Sequence, residues 1–143
     1  MTPDERARRS AEVLLEHDRA SRELGIELES VGPGRARCRL AVAERHVNGH
    51  GTCHGGVLFA LADTAFAVAC NARNRPAVAQ HNTITYLAPA HAGDALVAEA
   101  EEVALRGRGG VCDVRVVREA DGETIALFRG SSRIVGERVF EET

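Results

Sequence analysis

The stretch from His54 to Asn71, HGGVLFALADTAFAVACN, opens on two glycines, runs apolar on every side at helix length and carries one carboxylate at its middle. Alanine and leucine dominate it, so intrinsic propensity favours helix over strand. A helix that is apolar all round has to be enclosed by other structure. Enclosing an ionised carboxylate without a partner costs several kcal/mol, roughly, so Asp63 requires either a polar niche or a function. Every further reading of the chain has to accommodate that conflict.

A chain of 143 residues makes one ordinary domain, 1–143, long enough to bury roughly two-thirds of its unfolded surface. The formal net charge of -3 and mixed signs give no footprint for nucleic acid. Arginine carries the positive charge, which suits local phosphate contacts better than a broad basic face. Cys38, Cys53, Cys70 and Cys112 lie far apart with no C-x-x-C spacing and follow no signal-like N-terminus, which reads as reduced thiols of a cytoplasmic protein. The apolar helix is too short for a bilayer and carries Asp63 near its centre, so no membrane span is expected.

Along the chain, Thr2 as N-cap, Pro3 at the first helical position and Asp4-Glu5 in the first turn predict an N-terminal helix over 1–24, with Gly25 as its stop. Strands are expected at 26–31 and 35–42, joined by Gly32-Pro33-Gly34; in the second, Ala36, Cys38, Leu40 and Val42 alternate with arginines, the period of a half-buried strand. A polar loop over 44–56 feeds the central helix. Four strand-like runs follow at 77–87, 95–105, 111–119 and 124–135, with turn signals at Arg106 to Gly110 and at Asp121-Gly122. The end, 136–143, reads as a polar, frayed tail. Consecutive hairpins imply an antiparallel sheet, and a wholly apolar helix implies that the sheet curls around it, an α+β fold.

The start of a helix presents unpaired N–H groups and a partial positive charge. Gly55 and Gly56 leave that end bare, so a substrate oxygen can approach the amides, which is what an oxyanion in acyl transfer requires. The plainer reading is a simple glycine-rich helix start. Asp63, about 12 Å further along the helix at ~1.5 Å per residue, cannot converge on the same carbonyl as Gly55 within one chain. Two chains with antiparallel central helices bring them together in two equivalent sites. Asp63 then serves as nucleophile or general base, against the alternative of a helix-interior aspartate paired with an arginine. His46, His50 and His54 fall at i, i+4 and i+8, but the intervening glycines argue against a helix and hence against a metal site. His54 suits a hydrogen-bonding role, in holding the loop or polarising a carbonyl. Asn48 suits positioning of a water or carbonyl, and equally a turn. Arg106-Gly107-Arg108-Gly109-Gly110 is either a phosphate-receiving turn or a solvated hairpin tip.

The segment from Asn48 to Gly56, NGHGTCHGG, running into Leu61-Ala62-Asp63-Thr64-Ala65-Phe66-Ala67, resembles the hotdog-fold acyl-CoA thioesterases, specifically the PaaI family of phenylacetic acid degradation proteins. Asn82 to Ala90, Gly93-Asp94 and the order of elements fit as well. The resemblance implies a curled antiparallel sheet around one long helix and hydrolysis of an acyl-CoA, phenylacetyl-CoA or a ring-hydroxylated phenylacetyl-CoA, to free acid and coenzyme A. By position it implies Asp63 as nucleophile or base, Gly55 as backbone donor to the thioester oxygen, and His54 and Asn48 as assisting groups. Gly56, Thr64, Asn82 and Tyr86 are then expected at the substrate, and Arg106, Arg108, Gly109 and Gly110 at the coenzyme A phosphates. It further implies a homodimer with composite sites, in turn a homotetramer, and no metal or redox cofactor, coenzyme A being part of the substrate. The alternatives are a dehydratase on the same fold, which carries a different histidine and acidic pattern, a thioesterase for medium-chain or other aryl acyl groups, and an acyl-CoA-binding module without turnover.

Overall fold

A computed structural model describes all residues, 1–143. The N-terminal segment forms two helices rather than one, α1 over Pro3–Glu16 and α2 over Arg19–Leu24. Thr2 and Glu5 close a reciprocal cap on α1, as the sequence leads one to expect. The break falls at Asp18, whose carboxylate accepts from the Ser21 N–H at 3.0 Å and so starts a new helix. Gly25 ends α2 in the left-handed conformation, φ 86°.

The remaining elements are β1 (Glu27–Gly32), β2 (Arg35–Ala41), a single 3-10 turn at Glu44–His46, the central helix α3 (Gly55–Cys70), β3 (Ala77–Tyr86), β4 (Ala95–Arg106), β5 (Gly109–Arg118) and β6 (Thr124–Ile134). They form one six-stranded sheet in the order β1-β2-β4-β5-β6-β3, antiparallel throughout. β3 and β4, though consecutive in the chain, do not pair: the segment after β3 crosses to the far side of the sheet, where Val42 and Gly93–Asp94 exchange backbone bonds of 2.8 Å, so that β4 pairs with β2 and β3 becomes an edge beside β6. The β4–β5 turn is also tighter than the glycines suggest. Only Gly107 and Arg108 lie outside the strands, and Gly107 takes φ 61°, which its position in a two-residue hairpin loop requires.

The inward alternation of β2 holds, with Ala36, Cys38, Leu40 and Val42 buried. Leu61, Ala62, Ala65, Phe66, Val68 and Ala69 of α3 are buried against the sheet, the larger ones contributing about 1.5–3 kcal/mol each. The four cysteines are free and buried, and desolvation pushes the thiols of Cys38, Cys70 and Cys112 up to about 12. Enclosure of α3 is incomplete: Ala60, Asp63 and Ala67, spaced by three or four residues, keep partial exposure along one stripe, with Phe59 at its side. No helix is long and apolar enough to cross a membrane.

The tail is tied down rather than frayed. Asn74, the one non-glycine residue in the left-handed region at φ 59°, accepts from the N–H groups of Val139 (2.8 Å) and Phe140 (2.9 Å) and donates to the Phe140 carbonyl. Its own N–H donates to Ser10 in α1, and Arg6 pairs with Glu142 at 2.6 Å. One asparagine thus joins three segments. Asn74→Ala is expected to cost about 2–3 kcal/mol, since it strands several polar groups and places a Cβ-bearing residue that lacks the asparagine side chain in the left-handed region. Asn74→Gly should recover the backbone part of that loss; the midpoints of chemical denaturation measure both.

Candidate active site

The loop before α3 is built as a small bridge, Val47 opposite Cys53, closed by Asn48. The Asn48 side-chain oxygen accepts from the N–H groups of His50 (3.0 Å) and Thr52 (3.1 Å) and lies 3.3 Å from the Thr52 hydroxyl. Its carbonyl end is spent on the turn, while its NH2 donates to nothing in the chain. His46 is buried and structural. Its Nδ1 accepts from the Ala43 N–H, which leaves Nε2 to donate to the Leu24 carbonyl at 2.8 Å. The His54 N–H in turn donates to the His46 carbonyl at 2.8 Å, so the loop is anchored where α3 begins.

His54 is the N-cap of α3. Its Nδ1 accepts from the Gly56 N–H at 2.8 Å, a bond that requires the ring hydrogen on Nε2, where it stands free to donate outward. The N–H groups of Val57 (2.9 Å) and Leu58 (3.2 Å) are taken by the His54 carbonyl. Of the first four amides, Gly55 N–H alone has no acceptor in the chain. Tyr86 lies over this glycine: its hydroxyl donates to the Gly55 carbonyl at 2.8 Å, and a Cβ at position 55 would meet the tyrosine ring at 3.1 Å.

Asp63 sits on the partly exposed stripe of α3, and no arginine pairs with it. Its Oδ1 accepts from the Asn82 NH2 at 3.2 Å. Desolvation raises its pKa above the usual carboxylate range; Asn82 works in the other direction, and the charge of Asp18 adds to the rise. The neighbouring Thr64 turns away from this stripe: its hydroxyl donates to the Ala60 carbonyl and lies 2.8 Å from Ser21 in α2.

Register fixes the other candidates. Tyr86 pairs with Ala126, Asn82 with Gly130 and Val78 with Arg133, whose other neighbour is Gly109, opposite Arg106. Four residues of β3 separate each of these rungs, about 13 Å at 3.3 Å per residue. Asp63, beside Asn82, therefore lies midway between Gly55 at one end of the sheet and the β4–β5 turn at the other. Arg106 and Arg133 share a face across Gly109 and form no ion pair, nor does Arg108, whereas Gly110 points inward, where a Cβ would lie 2.9 Å from the Ser132 hydroxyl oxygen. Arg133 carries no signal in the sequence; only the strand pairing brings it beside Arg106. The rings of His46 and His54 bond different partners, that of His50 bonds none, and no group of three ligating side chains is placed to hold a metal ion. One groove of about 990 Å³ crosses the outer face of the sheet past Arg37, Glu99, Arg115 and Leu127, away from both Gly55 and Asp63.

The family model described as "Thioesterase superfamily" matches residues 50–125. The chain belongs to the thioesterase superfamily. It is 42% identical over 131 residues to acyl-coenzyme A thioesterase PaaI of Escherichia coli, a match spanning 92% of this chain and 93% of that one. It is 34% identical to human acyl-coenzyme A thioesterase 13 over 111 residues, 76% of this chain and 79% of that one. The structure of the E. coli PaaI protein from the phenylacetic acid degradation operon superposes with a TM-score of 0.93 and 40% identity over 96% of this chain and 99% of that one. A Thermus thermophilus protein, TT0310, superposes at 0.79 with 41% identity over 83% and 99%. The curled sheet around α3 is the hotdog fold of this thioesterase superfamily.

For a thioesterase of this build, two consequences of the site can be measured. His54→Asn keeps a good N-cap and removes the outward Nε2–H, so stability should stay within about 0.5 kcal/mol of wild type while kcat falls. Asp63 has a folded-state pKa above its unfolded one, so between the two values the folded chain holds more protons and stability falls as pH rises through that window. Asp63→Asn should therefore raise the Tm at pH 7, and the gain should fade below the ordinary carboxylate range; thermal unfolding at several pH values reads it.

Proposed function

We propose that the chain hydrolyses an aryl-acyl thioester of coenzyme A, phenylacetyl-CoA or a ring-hydroxylated phenylacetyl-CoA, to the free acid and coenzyme A, in two sites shared between two copies of the chain. The observation that carries the reading is the pair of opposite groups on α3: a preset amide donor without an acceptor at Gly55, and a desolvated carboxylate without a cation at Asp63. The printed names of the relatives, acyl-coenzyme A thioesterases in E. coli and human, support the substrate class, and the operon in one structural title supports the aryl group.

Within one chain the two groups stand about 12 Å apart along the helix. An antiparallel second α3 sets the Gly55 of one protomer against the Asp63 of the other. Two features support that pairing: the partly exposed stripe of α3, whose alanines permit close approach, and β3, a ten-residue edge strand bonded on one side only. Further pairing of dimers into a tetramer has the outer sheet face available. Arg106 and Arg108, joined by Arg133, are the residues to receive the nucleotide phosphates. The buried thiols suit a cytoplasmic setting.

In the base route, Asp63 takes a proton from water as the water oxygen bonds to the thioester carbon. The carbonyl oxygen gathers negative charge against Gly55 N–H and His54 Nε2–H, and the C–S bond then breaks, the sulfur leaving with a proton returned from Asp63. In the nucleophile route, an Asp63 oxygen bonds to that carbon and expels coenzyme A thiolate, and water then opens the resulting anhydride. Both routes use the same donors, Gly55 N–H and His54 Nε2–H, at the carbonyl oxygen, and differ in whether Asp63 meets the water or the carbon.

Thiol release measured over a panel of acyl-CoAs should be fastest with the aryl-acetyl members; binding without thiol release would favour a module without turnover. Gly55→Ala and Asp63→Asn should each be inactive alone. Mixed at equal amounts and exchanged, they should recover about a quarter of wild-type activity, because half of the dimers are mixed and each of those holds one intact site of two. Exchanged mixtures that stay inactive would refute the shared site.

A further inference from the structure

Asn82 has a role that desolvation of Asp63 alone does not explain. Its Oδ1 is the one buried side-chain oxygen or nitrogen in the chain with no hydrogen-bond partner. A buried acceptor left unpaired loses its hydration with no return, so such a group in a native fold calls for a reason. The other end of the same amide supplies one, since Nδ2 donates to Asp63 Oδ1 at 3.2 Å. Rotating the amide by half a turn would set two acceptors face to face against an anion. The NH2 thus faces the carboxylate at the expense of the oxygen behind it.

The room for that oxygen is made by Gly130, the direct cross-strand partner of Asn82 in β6. A Cβ at position 130 would lie 2.9 Å from Asn82 Oδ1 and 2.8 Å from Cζ of Phe66. Glycine in the interior of a strand weakens it and marks a close approach. Phe66, three residues past Asp63 on α3, is itself held against Phe128, with ring centroids 5.7 Å apart. The Asn82 oxygen and the Phe66 ring thus both border the space that a side chain at position 130 would fill, and the Asn82 NH2 is turned to Asp63.

We propose that Asn82, seated by the missing side chain at Gly130, is a positioning residue that holds Asp63 as a carboxylate by its Oδ1 and leaves Oδ2 as the oxygen that acts. The inference rests on the catalytic role given to Asp63 above. The other ionisable group acting on that carboxylate is Asp18 at the start of α2, while Cys70 on α3 stays a neutral thiol, pushed up to about 12; β3 and β6 contribute Asn82 and Gly130, neither of which titrates. Asn82 is thus the group within the chain that offsets desolvation.

The experiment is the pH dependence of kcat/KM for thiol release, with Tm measured alongside, on the full chain. Asn82→Leu has similar volume and no polar atoms. Its acidic limb should move up by about one pH unit, a loss of about tenfold on the acid side that disappears at alkaline pH. Its Tm should match or exceed wild type at acid pH, where the unpaired oxygen is gone and Asp63 is protonated, and fall below it as Asp63 ionises with no donor beside it. Gly130→Ala should move the limb the same way. A uniform loss with the limb in place would overturn the proposal and make Asn82 structural. Should Asn82→Leu fold poorly, a carbonyl-carbon NMR titration of Asp63 in wild type and Asn82→Ala gives the same answer, an unmoved Asp63 being the overturning result. Asp63→Asn separates the two levels: full activity there would remove the catalytic reading and this inference with it, whereas an inactive Asp63→Asn beside an unmoved limb in Asn82→Leu sinks only the role of Asn82.

Discussion

The structure turns on a carboxylate that one chain by itself satisfies only in part. Asp63 is desolvated enough that its charged form is disfavoured, yet no cation is supplied; one amide hydrogen is. That balance sets the rest in order. The sheet leaves one stripe of α3 uncovered, so the carboxylate meets something other than protein interior, and the helix begins bare, so its first amide stays without an acceptor in the chain.

The loop before α3 serves the same end by consuming hydrogen-bonding capacity selectively. Asn48 spends its oxygen on the turn and keeps its NH2; His54 spends Nδ1 on Gly56 and keeps Nε2–H; the helix start spends three amides and keeps one. What remains unspent on this side is all donor, which suits an oxygen that gains negative charge. What remains on Asp63 is acceptor. Unspent donors and an unspent acceptor are thereby sorted to opposite ends of eight residues.

The helix, the alternation in β2 and the strands were legible because each rests on local periodicity. The N-cap of α1 and the stop at Gly25 were legible for the same reason, and Asp18 shows the limit: its side chain restarts the helix inside a pattern that reads as continuous. The place of β3 at the sheet edge was not legible, because it depends on a crossing fixed by backbone bonds between Val42 and Gly93–Asp94, and any hairpin signal between neighbours looks alike. At the site, Gly55 and Asp63 stood out through conflict with their surroundings. Thr64 was expected at the substrate but faces Ser21, a matter of which side of α3 meets α2. Arg133 and Gly130 were silent, since their meaning lies in cross-strand partners distant in sequence. The tail read as frayed because its anchor, Asn74, is far off in sequence.

The two margins of the sheet differ in kind. On one side β1 is packed by α1, breaks register between Leu28 and Ser30 and carries Glu27 and Glu29, while on the other β3 runs ten residues as an edge with no strand beyond it, only Ala77 at its start being capped by the Asn71 side chain. A sheet with one blunted margin offers a single open edge, so an end-to-end ladder of copies, the ordinary hazard of an open strand, has no second edge to grow from.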